Sequence, residues 1–157
     1  MEKDDAKRNK VNTNEYEVHI QSGTVFEATD SNGLSDPYVT ISMVREDGKT
    51  TKQIYRSSVC KKTLSPKWDE KGTMKFKENV STLIIQLWDQ DIIGSNDFIG
   101  GTSVDVASCK YGNFQYIDAE VFEEKEGKVV TKGNVKLSIE KKKAKSVNAL
   151  YSYNSSM

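Results

Sequence analysis

Aspartate residues gather in two short stretches, DSNGLSDP at residues 30–37 and DQDIIGSND at residues 89–97. We call them the first and the second acidic stretch, and neither contains a lysine or an arginine. Two carboxylates held about 4 Å apart repel each other by roughly 4 kcal/mol at an effective dielectric constant of about 20. If the two stretches meet in the fold, a bound cation is therefore the natural counter-charge. The carboxylates concerned are those of Asp30, Asp36, Asp89, Asp91 and Asp97.

The ligand type selects the cation. Oxygen ligands suit a hard cation, and Ca²⁺ accepts many of them in irregular geometry, whereas Mg²⁺ prefers octahedral order and retains water. A helix–loop–helix calcium site is excluded, because neither stretch has the required spacing with a terminal glutamate. Another interpretation is that these aspartates only end strands and form turns, as aspartate often does. Five acids at this spacing favour Ca²⁺.

The residues around both stretches have the alternation of β-strands. Tyr16, Val18 and Ile20 alternate with polar residues, and Leu83–Trp88 is apolar at most positions, which indicates a strand in the centre of a sheet. Short strands at regular spacing, with no helical pattern, predict an all-β, eight-stranded antiparallel β-sandwich. The predicted strands cover residues 16–20, 39–43, 54–60, 73–77, 83–88, 98–106, 114–122 and 135–139.

Turn signals separate several of these strands. Gly and Pro at such positions interrupt a strand and reverse the chain. Since connections at one end of a sandwich converge, the two acidic stretches are expected to lie side by side. The predicted turns are Asp47-Gly48, Ser65-Pro66, Glu126-Gly127 and Lys132-Gly133.

Length and composition limit the function classes. A chain of 157 residues suits one domain, predicted at 15–141, between a disordered polar arm at 1–14 and a flexible tail at 142–157. With 23 basic and 23 acidic residues the formal charge is zero, which argues against nucleic acid as a partner. The sequence starts without an apolar signal region and has no membrane-length apolar run, which predicts a cytoplasmic protein.

Several residues that could take part in catalysis are predicted to have no catalytic role. Cys60 and Cys109 lack metal-ligand spacing and are expected to be reduced, partly buried thiols. His19 is the one histidine, and alternation puts it on the outer face of the first strand. Asp89-x-Asp91 could hold a metal in a transferase, but no general base or Gly-rich phosphate loop accompanies it. We predict no catalytic residue and no enzyme activity.

Three segments in this order resemble the C2 domain family, the calcium- and phospholipid-binding sandwich of conventional protein kinase C, synaptotagmin and phospholipase C. They are DSNGLSDPYV at 30–39, KTLSPKWDE at 62–70 and LWDQDIIGSNDFIG at 87–100. The resemblance implies that the five aspartates bind Ca²⁺, with the backbone carbonyls of Thr29 and Trp88 as auxiliary ligands. The family has two circular permutations, and the strand at 135–139 favours the one found in phospholipase C.

The resemblance also implies a membrane-facing end. Ile92 and Ile93 lie between ligands, where insertion into a bilayer is expected, and a loop folded back onto the sandwich is the alternative. Leu34 would join them, whereas Phe26 suits the membrane or the core equally. Basic residues on a concave face could hold a phosphoinositide, although a plain solvated face explains them as well. These basic residues are Arg56, Lys62, Lys75 and Lys77.

The predicted function is a calcium-dependent peripheral membrane module. It would bind anionic phospholipid, phosphatidylserine above all, recruit itself or partners, and move from the cytoplasm to the membrane surface when calcium rises. A monomer is expected, and a protein partner is left open. The alternative is a protein–protein interaction module in which calcium is structural or absent.

Overall fold

The computed structural model describes residues 14–27, 33–76, 81–91, 94–106, 109 and 112–142. They form eight antiparallel strands, which confirms the predicted fold class and the number of strands. In the described part of the chain, no helix is long and apolar enough to cross a membrane. The strands are β1 (Asn14–Val25), β2 (Pro37–Val44), β3 (Thr51–Arg56), β4 (Lys67–Phe76), β5 (Thr82–Asp89), β6 (Asp97–Asp105), β7 (Phe114–Lys125) and β8 (Lys128–Lys142).

The strands divide into two halves of four. Their order is β3-β2-β5-β6 in one half and β7-β8-β1-β4 in the other. Among the described residues, the halves are joined at one pair, Gly101 on β6 and Phe122 on β7. The last strand, β8, pairs with β1, and β1 leads towards the first acidic stretch. This is the strand order expected for the phospholipase C-like permutation.

Alternate residues of each strand face the space between the halves. On β5, Leu83, Ile85 and Leu87 are at most 1% exposed, and β5 lies between β2 and β6 as its apolar sequence predicted. Burial of such a side chain contributes roughly 1.5–3 kcal/mol relative to leaving it exposed. Other fully buried core residues include Val18, Ile20, Val39, Ile41, Met43, Met74, Leu137 and Ile139.

The predicted third strand, 54–60, is wrong in its second half. β3 ends at Arg56; the N–H of Ser57 still donates to the carbonyl of Val39 at 2.8 Å, but the return bond from the N–H of Val39 goes to the Ser57 side chain. The hydroxyl of Ser57 accepts the N–H of Val39 at 2.8 Å and donates to the carbonyl of Ser58 at 2.8 Å. Serine competes with regular β pairing in this way, and the chain leaves the strand at this point.

The predicted turn at Lys132-Gly133 is also wrong, because both residues lie inside β8. A Cβ on Gly133 would come within 2.1 Å of the carbonyl oxygen of Thr24, so glycine permits the close approach of β1 and β8. The hairpin instead turns at Glu126-Gly127, as predicted for that pair. Their φ angles are 53° and 76°, as in a two-residue turn of type I′.

The remaining predictions for single residues are largely confirmed. Cys60 is half-buried and Cys109 is buried, and both are free thiols. Burial raises the pKa of the Cys60 thiol, which keeps it protonated. His19 bonds through Nε2 to Oδ1 of Asp69 at 2.7 Å on the outer face. The predicted arm, except for Asn14, and nearly all of the predicted tail lie outside the described residues.

Candidate functional site

Three strand ends bring the acidic stretches together. β2 begins, β5 ends and β6 begins at the same end of the sandwich, and the three strands are neighbours in the sheet. In register, Pro37 is opposite Asp89, and Asp89 is opposite Asp97. Asp36, Asp89 and Asp97 therefore form a row across three strands, although Asp36 and Asp89 are 53 positions apart in the chain.

Asp89 is the buried member of this row. It continues the alternation of β5, so its side chain is on the same face as Leu87 and is only 1% exposed. Its Oδ1 accepts the backbone N–H of Asp36 at 2.8 Å, and the N–H of Gln90 donates to the carbonyl of Asp36 at 2.9 Å. A buried carboxylate needs such partners, since burying an unpaired charge is costly. These two bonds join the acidic stretches.

Asn96 orders the second acidic stretch from within. Its Oδ1 accepts the N–H of Asp91 at 2.9 Å, and its Nδ2 donates to the hydroxyl of Tyr38 at 2.8 Å. Asp91 and Asp97 themselves are exposed. Sequence reasoning missed the roles of Asn96 and Tyr38, although an asparagine inside a short loop commonly bonds to nearby backbone.

The segment 57–66 braces the first acidic stretch. The N–H of Lys62 donates to Oδ1 of Asp36 at 2.6 Å, and the N–H of Thr63 donates to the carbonyl of Ser35 at 2.8 Å. Lys62 has a φ of 54°, which turns the chain beside Asp36. Lys62 therefore lies outside the predicted third strand of residues 54–60 and outside β3, which ends at Arg56.

An aromatic row lies beside the acids. Tyr38, Trp88 and Phe98 are opposite one another on β2, β5 and β6. The Tyr38 and Trp88 rings are stacked at 6.5 Å, and Phe98 meets Trp88 edge-on at 5.3 Å. Trp88 is thus a strand-packing residue, and its Nε1 donates to the hydroxyl of Thr40 at 3.0 Å.

The described basic residues do not form a dense surface. The Arg56 guanidinium lies over the Tyr38 ring, 4.3 Å from its centroid. Two positions further along the chain, the Ser58 hydroxyl donates to the Glu70 carboxylate at 2.6 Å, so an acidic side chain lies close to the basic ones. Lys75 is exposed on β4 in the other half, opposite Glu15 of β1. Arg56 and Lys75 therefore lie on separate strands, β3 and β4, which contact each other through Tyr55 and Glu70.

The remaining predicted site residues divide into two groups. Leu34, predicted to contact lipid, is half-buried just before Ser35, whereas Phe26 is 55% exposed and so is not a core residue. The others lie outside the described residues; they are Thr29, Asp30, Lys77, Ile92 and Ile93.

The donor chemistry of the row fits a hard cation. Carboxylate oxygens are the ligands that Ca²⁺ prefers, and a carboxylate has about four lone-pair sites, so a backbone bond to Oδ1 leaves acceptor capacity. Among the described residues, no three His, Cys, Asp or Glu side chains already lie close enough to hold a metal ion.

Comparisons with known sequences give a family and several relatives. The family model of the C2 domain matches residues 14–120. A C2 domain-containing protein of Dictyostelium discoideum is 44% identical over 117 residues, which are 74% of this chain and 60% of the relative. Multiple C2 and transmembrane domain-containing protein 1 of Mus musculus is 35% identical over 114 residues, 72% of this chain and 11% of the relative. The chain thus spans less than two thirds of these relatives.

Solved structures agree in fold. A single C2 domain of plant Extended Synaptotagmin 1 superposes with a TM-score of 0.64 at 19% identity, covering 82% of this chain and 94% of that domain. A structure containing both C2 domains of Extended-Synaptotagmin 2 gives 0.59 at 26% identity, covering 82% of this chain and 40% of that one. With the matching family model and the motifs placed at one end of the sandwich, the chain belongs to the C2 domain family.

Proposed function

We propose that this chain is a calcium-dependent module that binds anionic phospholipid membranes at the end carrying its acidic stretches. C2 domains are non-catalytic binding modules that commonly bind Ca²⁺ and membranes. The observation that carries the proposal is the 1% exposed carboxylate of Asp89, placed between Asp36 and Asp97 at three adjacent strand ends. Carboxylate oxygens gathered at adjacent strand ends are the ligands that a hard cation prefers, so this placement favours a cation-binding role.

The proposed calcium ligands combine described residues with residues outside the described ranges. The Asp36 and Asp89 side chains are positioned by backbone N–H groups at 2.6 and 2.8 Å, and Asp91 is held near them by Asn96. Such preorganisation lowers the cost of gathering like charges around an ion. The full proposed set is Asp30, Asp36, Asp89, Asp91 and Asp97, with the carbonyls of Thr29 and Trp88.

Calcium would act on membrane binding through charge. Without the ion, five carboxylates at one end repel anionic headgroups, and bound Ca²⁺ cancels part of this charge and offers coordination positions to a lipid phosphate or carboxylate. Ile92 and Ile93, which lie between acids in the sequence, would then enter the interfacial region with Leu34. The chain would move to the membrane surface when calcium rises and bring any partner with it.

Phosphatidylserine is the proposed lipid because the switch depends on anionic headgroups. The case for phosphoinositide binding is weaker, since Arg56 packs on Tyr38 and Glu70 accepts bonds from Ser58 beside it. No catalysis is proposed, and the chain is proposed to act as a monomer.

Vesicle co-sedimentation tests the proposal directly. The intact chain should pellet with phosphatidylserine-containing vesicles in calcium and stay in the supernatant with chelator. The variant Asp89→Asn/Asp91→Asn should not pellet in either condition. A matched control, Asp69→Asn/Asp118→Asn, removes the same charge from β4 and β7 and should behave as the intact chain does. Absence of calcium-dependent pelleting by the intact chain would contradict the proposal and favour a protein partner.

A further inference from the structure

The β7–β8 hairpin projects from the end of the sandwich that carries the acidic stretches. The last pair of β1 with β8 is Val25 with Gly133, and the N–H of Phe26 still donates to the carbonyl of Lys132 at 2.9 Å. Beyond this level β7 and β8 continue as a two-stranded ribbon that ends with Lys125 opposite Lys128. About four further residues at about 3.3 Å each extend the ribbon by roughly 13 Å.

Four of the six exposed large apolar side chains in the described residues lie at the same end, whereas Phe114 and Tyr116 stack on each other at the start of β7. Val129 and Val130 on the ribbon are 69% and 44% exposed, and Phe26 and Phe98 beside it are 55% and 37% exposed. Large apolar side chains exposed together indicate an interaction surface. The hairpin therefore adds exposed apolar side chains to the end of the sandwich that is proposed to bind the membrane.

The ribbon tip also holds two lysines in an unfavourable arrangement. Lys125 and Lys128 are direct cross-strand partners, and like charges in this position destabilise a sheet. Within the described part of the chain neither forms an ion pair, whereas Lys132 lies 3.8 Å from both Glu27 and Glu123. An anionic group placed between the two lysines would remove their repulsion.

The base of the ribbon adjoins the acidic row. A cleft of about 400 Å³ has Asp97 and Phe98 on one side and Glu123, Lys125 and Lys132 on the other. The hairpin and the second acidic stretch consequently lie at the same end of the sandwich. A flat bilayer that meets Asp97 also comes within reach of the hairpin.

We propose that the hairpin tip, residues 124–130, is a third membrane-contacting element of this domain. Val129 and Val130 enter the interfacial region, and Lys125 and Lys128 contact the phosphates of lipid headgroups, a division of roles common for apolar and basic side chains at membrane surfaces. The inference rests on the proposed function, because the bilayer must first meet the acidic stretches.

The charge of the tip makes its contribution conditional. Glu124 and Glu126 balance the two lysines, so the tip has no net attraction for an anionic surface at long range. It contributes only at contact, after calcium has brought the domain to the membrane. The hairpin is thus expected to add affinity without adding binding in the absence of calcium.

Vesicle titration at saturating calcium tests this element. The variants Val129→Asp and Lys125→Glu/Lys128→Glu should each need about tenfold more phosphatidylserine-containing lipid for half-binding. Controls of the same chemistry at the opposite end, Tyr116→Asp and Lys49→Glu/Lys52→Glu, should match the intact chain. A second readout is the rise in Tm on adding calcium without lipid, which the hairpin variants should retain in full.

The outcomes separate the two proposals. If the intact chain binds vesicles with calcium and the hairpin variants bind equally well, the hairpin proposal is overturned and the calcium-dependent function stands. If the intact chain does not bind, both fall. If a hairpin variant loses its calcium-induced rise in Tm, the hairpin acts through the ion site and not through lipid, which also overturns the inference.

Discussion

The backbone N–H of Asp36 donates to Oδ1 of Asp89 at 2.8 Å, although the two residues are 53 positions apart. The bond links the start of β2 to the end of β5 and fixes one acidic stretch against the other. The Asp89 carboxylate thus has two properties that can be separated. One of its oxygens accepts the bond from Asp36, and its negative charge can attract a cation.

Substitution of Asp89 should separate these two properties. Asp89→Asn keeps a side-chain oxygen for the Asp36 N–H and removes a charge, so the fold should remain stable in chelator while the calcium-induced rise in Tm disappears. Asp89→Ala leaves a buried donor unpaired and should unfold about 1–3 kcal/mol more easily than Asp89→Asn. Thermal unfolding with calcium and with chelator measures both effects. An unchanged calcium response in Asp89→Asn would contradict the ligand assignment.

Arg56 should contribute little to lipid choice. Its guanidinium is occupied by the Tyr38 ring, and the adjacent Ser58 hydroxyl donates to Glu70. We expect Arg56→Gln to change vesicle affinity by less than the roughly fivefold effect, about 1 kcal/mol, of a single basic residue at a membrane surface. The measurement compares the affinities of the intact chain and of Arg56→Gln for two kinds of vesicle of equal total charge. One kind contains phosphatidylserine alone, and the other also contains phosphoinositide. A strong preference for phosphoinositide that Arg56→Gln removes would restore the concave face as a headgroup site.

Glu70 should make stability depend on pH in the acid range. Burial opposes ionisation, but hydrogen bonds from Ser58 and Tyr55 outweigh it and hold the pKa of Glu70 below its ordinary value of 4.5. A lowered pKa means that the stabilisation is complete above 4.5 and is lost as the pH falls through the folded-state value. Glu70→Gln should therefore be less stable than the intact chain by about 1 kcal/mol at neutral pH, with a gap that closes in acid.

Thermal unfolding from neutral pH into the acid range checks this dependence. The exposed Glu46 in the β2–β3 turn provides the control, since Glu46→Gln should give a small difference that does not vary with pH. A gap for Glu70→Gln that widens as the pH falls has the wrong sign and would refute the assignment.

Two glycines in the β7–β8 unit should respond differently to alanine. At Gly133 the new Cβ would lie 2.1 Å from the backbone oxygen of Thr24, so β1 and β8 must separate, at a cost above about 2 kcal/mol. At Gly127 no atom lies within 4 Å of the Cβ, and only the positive φ is penalised, by about 1 kcal/mol. Urea unfolding of the two variants compares these costs, and equal losses would contradict the close approach of β1 and β8.

Local patterns predicted much of this architecture. The largely apolar run Leu83–Trp88 predicted a central strand, and the alternating burial along β5 puts its last residue, Asp89, on the buried face. The turn at Glu126-Gly127 was equally predictable, because a type I′ turn needs residues that accept positive φ. Lys132-Gly133 has the same local signal but lies inside β8. The glycine is needed there because Thr24 on β1 approaches it closely, and this contact between strands cannot be read from the local sequence.

Residue types and spacing by themselves indicated most of the strands, the family and the five acids proposed as calcium ligands, because those signals lie within short stretches of the chain. Tertiary structure alone decided that Lys62 reaches Asp36, that Asn96 joins Asp91 to Tyr38, and that the β7–β8 hairpin stands beside Asp97. Each of these contacts depends on strand order and register, which are set by the packing of distant strands around one core and leave no periodic trace in the sequence.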